Sequence, residues 1–294
     1  MEWVDLCGKL VRREEAVVSV FDRGFLYGDG VFETLRSYGA TMFRANEHYQ
    51  RLVRSATAIG MTVPFSIPEM EARCAALLDA NEVRNALLRV TVTRGLQSGG
   101  IGIGGAGEPT VTITPRQTPT WDIETGLKAI VAQTRRIHPA ALNPEIKSMN
   151  YLNNILAKAE AERMGADEAI MLNDRGQVAE GTVGNVFIVE RGRLRTPARE
   201  AGIIVGITRA AVLEVARERG QPFEEALFGT KLLNSADEAF MTGTGYEVLP
   251  ITKIDGKPVG SGKPGRLTQE LGAGFKALVL SECGGDNQGD RPGN

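Results

Sequence analysis

The strongest constraint on the fold of this chain is a short segment near its middle that is rich in proline and threonine. Residues 115–121 read Pro-Arg-Gln-Thr-Pro-Thr-Trp, a composition that favours a loop over a helix or a strand. On both sides of it, apolar runs with strand spacing alternate with runs that have helical spacing. This predicts a two-domain α+β chain, with a small N-terminal domain over residues 1–115, a linker over 116–122 and a larger C-terminal domain over 123–280.

Apolar spacing and turn residues predict the elements of each domain. In the N-terminal domain they predict strands at 17–20, 31–38, 87–92 and 110–114, and helices at 47–59 and 67–80. In the C-terminal domain they predict strands at 127–134, 168–172, 186–189 and 239–242, and helices at 151–165 and 208–219. One face of the helix at 151–165, which we expect to be buried, carries Leu152, Ile155, Leu156 and Ala159. Residues 281–294 are mostly small or polar, and they predict a disordered tail.

Composition narrows the class of protein. The net charge of −2 gives no reason to expect a nucleic-acid or membrane surface. No apolar run approaches the roughly 20 residues of a membrane span, and the N-terminus lacks the pattern of a signal peptide. Cys7, Cys74 and Cys283 are unevenly spaced, which favours a reducing cytoplasm over disulfides. His48 and His138 are far apart in the chain, so we expect no metal site.

Two motifs indicate a specific chemistry. The first is Lys147-Ser148-Met149-Asn150-Tyr151, and the second runs from Glu180 through the glycines to Phe187. Taken singly, most lysines are surface cations and most turn carboxylates are solvated. Together, however, a reactive amine and a lone carboxylate beside apolar strands suit pyridoxal phosphate. The amine holds the cofactor aldehyde as a Schiff base, and the carboxylate keeps the pyridine nitrogen protonated.

Further motifs extend this pattern along the chain. They lie at residues 22–33, 48–52, 206–209 and 236–244. With them, the chain resembles the class IV aminotransferases, the fold-type IV group of pyridoxal phosphate enzymes, from about residue 18 to 275. The resemblance implies a β-barrel-like core in the larger domain, pyridoxal 5'-phosphate as the cofactor, and a homodimer.

The resemblance also implies a role for each matching residue. Lys147 would hold the cofactor and move the α-proton of the substrate. Glu180 would bind the pyridine nitrogen, and Asn185 would fix its loop. The other cofactor contacts would come from a phosphate-binding arginine, a tyrosine at the phenolic oxygen, a helix N-terminus and a turn hydroxyl: Arg51, Tyr151, Ile207, Thr208 and Thr244.

Within the family, the chain reads most like the branched-chain aminotransferases. The implied substrate residues are Tyr27, Phe32, Thr34, Arg36 and Arg89. We therefore expect transfer of the amino group of an L-branched-chain amino acid to 2-oxoglutarate by a ping-pong mechanism. Thr34 favours an aminodeoxychorismate lyase as the alternative. A D-amino-acid aminotransferase is less favoured, because the loop at 95–107 lacks the Arg-x-His carboxylate trap found in one group of them. A binding module that lost the chemistry would not need Lys147, Glu180 and Arg51 together.

Overall fold

The computed structural model describes residues 1–97, 100–105 and 107–284, and these form two compact units. The first unit contains Met1–Thr118, Ile146–Asn150 and, at the end of the chain, residues 279–284. The second contains Pro119–Glu145 and Tyr151–Leu278. The segment that carries Lys147 thus belongs to the first unit, although the sequence assigned it to the larger domain. The tail predicted beyond residue 284 lies outside the described residues.

The first unit is a six-stranded sheet with two helices packed on one face. Its elements are β1 (Trp3–Leu6), β2 (Lys9–Arg12), α1 (Arg23–Tyr27), β3 (Gly30–Tyr38), β4 (Thr41–Met42), α2 (Ala45–Ala58), α3 (Ile67–Ala80), β5 (Leu87–Thr93) and β6 (Thr110–Arg116). The described strands lie in the order β2-β1-β6-β5-β3-β4, and all neighbours are antiparallel. Glu69 closes a capping box with Ser66 at the start of α3, so this helix begins where its local signals predict.

Strand alternation gives the sheet of the first unit two different faces. Val31 and Leu35 of β3 and Leu88 of β5 point into one core with Leu52 of α2 and Leu77 of α3. Because side chains alternate along a strand, the intervening residues of β3 and β5 point to the opposite face. That face carries most of the predicted substrate residues.

The second unit is built on a larger mixed sheet that curls into a half-barrel, as expected for this fold class. Its elements are β7 (Leu127–Val131), α4 (Leu152–Arg163), β8 (Glu168–Leu172), β9 (Val178–Glu180), β10 (Asn185–Glu190), β11 (Arg193–Pro197), α5 (Ile207–Glu218), β12 (Phe223–Ala226), α6 (Thr230–Asn234), β13 (Glu238–Gly243), β14 (Glu247–Ile254), β15 (Lys257–Pro258) and α7 (Arg266–Cys283). The last residues of α7, 279–283, are counted with the first unit. The strands lie in the order β12-β11-β10-β13-β14-β7-β8-β9, with β15 beside β14. Both units combine helices and sheets, which confirms the α+β prediction.

Three local predictions were wrong. Residues 17–20 form no strand, and Val17 and Val20 are 74% and 59% exposed, because β-forming side chains need a partner strand and none lies beside them in the described chain. In α4, Leu152 and Ile155 are exposed, and Ala157 is buried against the sheet in their place.

At the C-terminus, α7 extends to Cys283, so residues 281–283 are helical rather than part of a tail. No helix within the described ranges combines the length and the apolar character needed to cross a membrane.

Candidate active site

The backbone of the Lys147 segment is bonded to the start of β3. Phe32 N donates to Lys147 O (3.0 Å), and Met149 N donates to Gly30 O (2.9 Å). On the other side, Lys147 N donates to Ser55 Oγ on α2 (3.1 Å). A Cβ on Gly30 would lie 2.7 Å from Met149 Sδ and 2.8 Å from a backbone oxygen of β5. Glycine at this position therefore permits the close approach that fixes Lys147.

The side chain of Lys147 lies beside an aromatic ring that also contacts a guanidinium. Its Nζ is 4.5 Å from the centroid of the Phe32 ring, and the guanidinium carbon of Arg89 is 3.6 Å from the same centroid. Thr34 lies directly opposite Arg89 across β3 and β5. Within the described chain the amine makes no hydrogen bond or ion pair.

The predicted substrate residues are therefore largely brought together. Phe32, Thr34 and Arg36 alternate along β3 on the face that Arg89 shares. Tyr27 is different, since it is the last residue of α1 and is 45% exposed. Four of the five predicted substrate residues thus share one face, and this face combines an aromatic ring with guanidinium groups.

On the opposite face of β3, Glu33 fixes the predicted phosphate-binding arginine. Arg51 Nε and Nη2 donate to Glu33 Oε1 and Oε2 at 2.6 and 2.9 Å. His48 Nδ1 lies 2.8 Å from Glu33 Oε2, and it must donate because an ionised carboxylate only accepts. All three side chains are buried. Such a bidentate pair orients a guanidinium more firmly than a single bond does.

Charge and burial set the protonation of this cluster. Burial alone would raise the pKa of Glu33, but the charge and hydrogen bonds of Arg51 and the hydrogen bond from His48 outweigh it and hold this pKa well below its ordinary value. Burial lowers the pKa of His48. Glu33 opposes this shift, whereas the charges of Arg51 and Lys147 add to it. At neutral pH Glu33 is therefore ionised and His48 neutral.

In the second unit, Glu180 ends β9 and is held by fixed donors. Its Oε1 lies 2.9 Å from Arg136 Nη2. Its Oε2 accepts from Asn185 Nδ2 (3.2 Å) and Ile204 N (3.1 Å). Asn185 also donates to Ile204 O (2.8 Å), which fixes the chain just before α5. Glu180 is only 4% exposed, so its carboxylate position is defined by this set of bonds.

The N-terminus of α5 has the properties of an anion site. No side chain caps it, because Gly206 occupies the N-cap position. A Cβ there would lie 2.1 Å from Asn185 Oδ1, so a side chain would displace Asn185. The N–H groups at Ile207 and Thr208 face out of a twelve-residue helix, as in sites that bind phosphate. Since Ile204 bonds to Glu180, the carboxylate and this helix end belong to one constellation that fits a phosphate-bearing cofactor.

Tyr151 and Thr244 complete the predicted residues of the second unit. Thr244 lies half-buried in the turn after β13, and β13 pairs with β10 so that Thr242 faces Asn185. Tyr151 is half-buried and immediately precedes α4. In the first turn of that helix, Asn154 donates to Thr182 O (2.7 Å), which links α4 to the turn that follows Glu180.

Several residues of these constellations were missed by sequence reasoning. Glu33 and His48 stood within quoted motifs without an assigned role, and Arg136 and Ser55 were not considered. Arg136 and Glu180 are 44 positions apart in the chain, so no local spacing could reveal their contact. The one available signal was the charged Glu33 between Val31 and Leu35, the apolar residues on the same face of β3.

The loop at 95–107 is anchored through Arg23. The guanidinium of Arg23 donates to Gln97 and to the carbonyl groups of Gly100 and Gly102. Asp29 bonds both Arg23 and Arg94. Burial would raise the pKa of Asp29, but its hydrogen bonds with Arg94 and Arg23 outweigh that effect and lower it. The described part of this loop is therefore held by a buried cation, a feature that its glycine content did not predict.

The Glu33 cluster predicts that the chain loses stability in acid. Folding lowers the pKa values of both Glu33 and His48. The stabilisation is therefore complete above pH 6.5, which is the ordinary pKa of a histidine. It is lost as the pH falls, first through His48 and then, below 4.5, through Glu33. We expect the free energy of unfolding, measured in urea, to fall from about pH 7.5 to about pH 4.

Glu33→Gln should lower that free energy at neutral pH by about 3–5 kcal/mol, because Arg51 loses its buried partner. As the pH falls further, the free energy of unfolding of Glu33→Gln should decrease less steeply than that of the wild type. The matched control is Asp79→Asn, which breaks an exposed ion pair with Arg84 (3.4 Å) and should cost less than about 1 kcal/mol. Equal effects of the two substitutions would contradict this account.

Comparison with known proteins identifies the family. The family "Amino-transferase class IV" matches residues 30–254. A Methanocaldococcus jannaschii protein named "Putative branched-chain-amino-acid aminotransferase" is 41% identical over 273 residues, which cover 93% of this chain and 95% of the relative. The D-alanine aminotransferase of Bacillus licheniformis is 38% identical over 277 residues, covering 94% of this chain and 96% of the relative.

A solved structure agrees with these sequence relatives. The branched-chain aminotransferase of the thermophilic archaeon Thermoproteus uzoniensis, determined with norvaline, has a TM-score of 0.89 and 36% identity. The match covers 95% of this chain and 95% of that chain. The chain therefore belongs to the class IV aminotransferases, and it is a pyridoxal-phosphate-dependent transaminase.

Proposed function

We propose that this transaminase moves the amino group of an L-branched-chain amino acid to 2-oxoglutarate. With L-leucine, the products are 4-methyl-2-oxopentanoate and L-glutamate, so the amino group and the oxo group exchange carriers without net oxidation. The observation that carries the proposal is the face of the first unit on which Phe32 lies beside both Lys147 Nζ and Arg89. An aromatic ring suits an apolar side chain, and a guanidinium suits the second carboxylate of glutamate.

The cofactor is pyridoxal 5'-phosphate, and both units offer residues that fit it. In the first unit, Lys147 would hold the cofactor and Arg51 would bind its phosphate. In the second unit, Glu180 would bind the pyridine nitrogen, with Asn185 fixing the carboxylate. The remaining proposed contacts are the helix N-terminus and hydroxyl groups for the phosphate and a phenol for the ring oxygen: Ile207, Thr208, Thr244 and Tyr151.

The chain's own residues would provide binding and proton transfer. When bound, the cofactor supplies an aldehyde for the amino group and a ring that accepts the electron pair left at the α-carbon. Lys147 Nζ would take the α-proton of the donor and return a proton to the acceptor. Its backbone, bonded to β3 and to Ser55, would keep that atom in place while its bonding changes. Arg51, fixed by Glu33, would hold the phosphate without moving.

Two related activities remain as alternatives with their own support. The identity to a D-alanine aminotransferase is close to that of the first relative, at 38% against 41%. D-amino-acid transfer is therefore the second candidate. A threonine at the position of Thr34 resembles the aminodeoxychorismate lyases, and this residue is half-buried opposite Arg89 on the same face. A lyase that makes 4-aminobenzoate is therefore a further candidate.

The spectrum of the cofactor-loaded protein, mixed separately with L-leucine, D-alanine and aminodeoxychorismate, distinguishes these activities. We expect L-leucine to shift the cofactor band and release 4-methyl-2-oxopentanoate, because Phe32 offers an apolar contact for its side chain. A shift with D-alanine alone would contradict the L-stereochemistry. Release of pyruvate and 4-aminobenzoate from aminodeoxychorismate, with no response to either amino acid, would contradict the transfer reaction.

A matched variant tests the proposed role of Arg89 in the same assay. Arg89→Met should slow the reaction with L-glutamate about tenfold or more, since a charge-assisted hydrogen bond to the second carboxylate is lost. The reaction with L-leucine should change little, because leucine has no second carboxylate. Equal losses for both substrates would show that Arg89 does not recognise glutamate.

We further propose that the protein acts as a homodimer in the cytoplasm. The three cysteines are free, which suits a reducing compartment. Apolar side chains between residues 17 and 27 are exposed, including Phe21 at 68% and Phe25 at 73%. Exposed groups of this kind mark surfaces that associate, and a second copy of the chain is the proposed occupant. Sedimentation of the full chain should give a dimer, and a monomer at micromolar concentration would contradict the proposal.

A further inference from the structure

Glu168 is a fully buried carboxylate whose hydrogen-bond partners are all neutral. It is the first residue of β8 and is 0% exposed. Its donors are Ala169 N, Thr182 N, Thr182 Oγ1 and the hydroxyl of Tyr246. Within the described residues it forms no ion pair. Because burying a carboxylate without a cation is costly, these hydrogen bonds must compensate for the lost hydration.

One oxygen of Glu168 fixes the turn that follows Glu180. We call residues 180–185 the Glu180 turn. Thr182 lies in this turn, and it donates to Glu168 Oε1 from its backbone N (3.0 Å) and from its Oγ1 (2.6 Å). The same turn ends at Asn185, which bonds Glu180. Glu168 therefore restrains both the backbone and a side chain of the turn that begins with the proposed pyridine-binding carboxylate.

The other oxygen of Glu168 fixes the turn that carries Thr244. We call residues 242–246 the Thr244 turn. At its end, the Tyr246 hydroxyl donates to Glu168 Oε2 (2.6 Å). Trp121 lies against the Tyr246 ring (5.1 Å between centroids), and its Nε1 donates to Gly245 O (3.1 Å). Burial and the charge of Glu168 raise the pKa of Tyr246, so its hydroxyl remains a donor.

We propose that Glu168 is a positioning residue that keeps the Glu180 turn and the Thr244 turn at a fixed separation through Thr182 and Tyr246. The inference rests on the proposed function, in which Glu180 binds the pyridine nitrogen and Thr244 the phosphate. Pyridoxal phosphate is a rigid ring with these two groups at different ends. By holding the two turns at a fixed separation, Glu168 would match the distance between the protein's two contacts to the length of the cofactor. Glu168 itself would touch neither the pyridine nitrogen nor the phosphate.

The experiment compares two ligands that differ only in the phosphate. The full-length protein, freed of cofactor, is titrated with pyridoxal phosphate and with pyridoxal, and binding is followed by tryptophan fluorescence. Tyr246→Phe keeps the ring against Trp121 but removes the bond to Glu168. We expect it to weaken binding of pyridoxal phosphate about tenfold, and to change binding of pyridoxal less than about twofold, because pyridoxal does not use Thr244.

Two controls separate positioning from general destabilisation. Tyr49→Phe also removes one hydroxyl bond, here to Phe65 O (2.7 Å) in the first unit, and it should leave both affinities unchanged. Glu168→Gln can still accept from Thr182 through its amide oxygen and can donate to the Tyr246 hydroxyl. It should therefore retain most of the preference for pyridoxal phosphate, whereas Glu168→Ala should not.

The outcomes distinguish this inference from the proposed function. If the wild type does not prefer pyridoxal phosphate over pyridoxal, the assigned phosphate contacts are wrong. If the wild type has that preference and Tyr246→Phe keeps it, the positioning role is wrong. Should circular dichroism show that Tyr246→Phe is unfolded, Thr182→Val removes a bond to the same carboxylate from the other turn. An unchanged preference in Thr182→Val would then overturn the proposal.

Discussion

The pairing of residues 147–149 with β3 is the constraint on which the first unit's chemistry depends. Two backbone hydrogen bonds hold this segment at Gly30 and Phe32, and glycine makes the approach possible. Because side chains alternate along β3, its two faces have different roles. One face brings Phe32 to Lys147, and the other presents Glu33 to Arg51. A single strand thus orients the amine and, through an ion pair, the proposed phosphate-binding guanidinium.

In the second unit, buried carboxylates that accept hydrogen bonds from several elements provide similar rigidity. Glu180 is held by a cation, an amide and a backbone N–H, and the donors to Glu168 among the described residues are all neutral. Buried charges of this kind contribute little net stability, because their desolvation offsets the bonds they gain. Their effect is geometric, since each carboxylate accepts from several elements at once. These hydrogen bonds explain why turns that are rich in glycine nevertheless have defined positions.

The features that were predicted correctly from the sequence are those that depend on local signals. The helix at 67–80 was correct because Ser66, Pro68 and Glu69 mark its start, and the family was confirmed because its motifs are ordered along the chain. The exposed face of α4 was missed because periodicity gives an apolar stripe but not its partner, and alanines make the contact with the sheet. The links from Glu33 to Arg51 and from Glu168 to Tyr246 join residues 18 and 78 positions apart. No local pattern encodes such pairs, since only the folded sheets bring them together.

Every proposed step of the reaction requires Lys147 to be the amine that holds the cofactor. Borohydride reduction of the protein loaded with pyridoxal phosphate fixes the cofactor to the amine that binds it, and peptide mass spectrometry then locates the label. We expect one phosphopyridoxyl group on Lys147 and none on Lys158, which instead donates to the carbonyl of Asp167. A label on another lysine, or a reduced protein without any label, would show that Lys147 does not hold the cofactor.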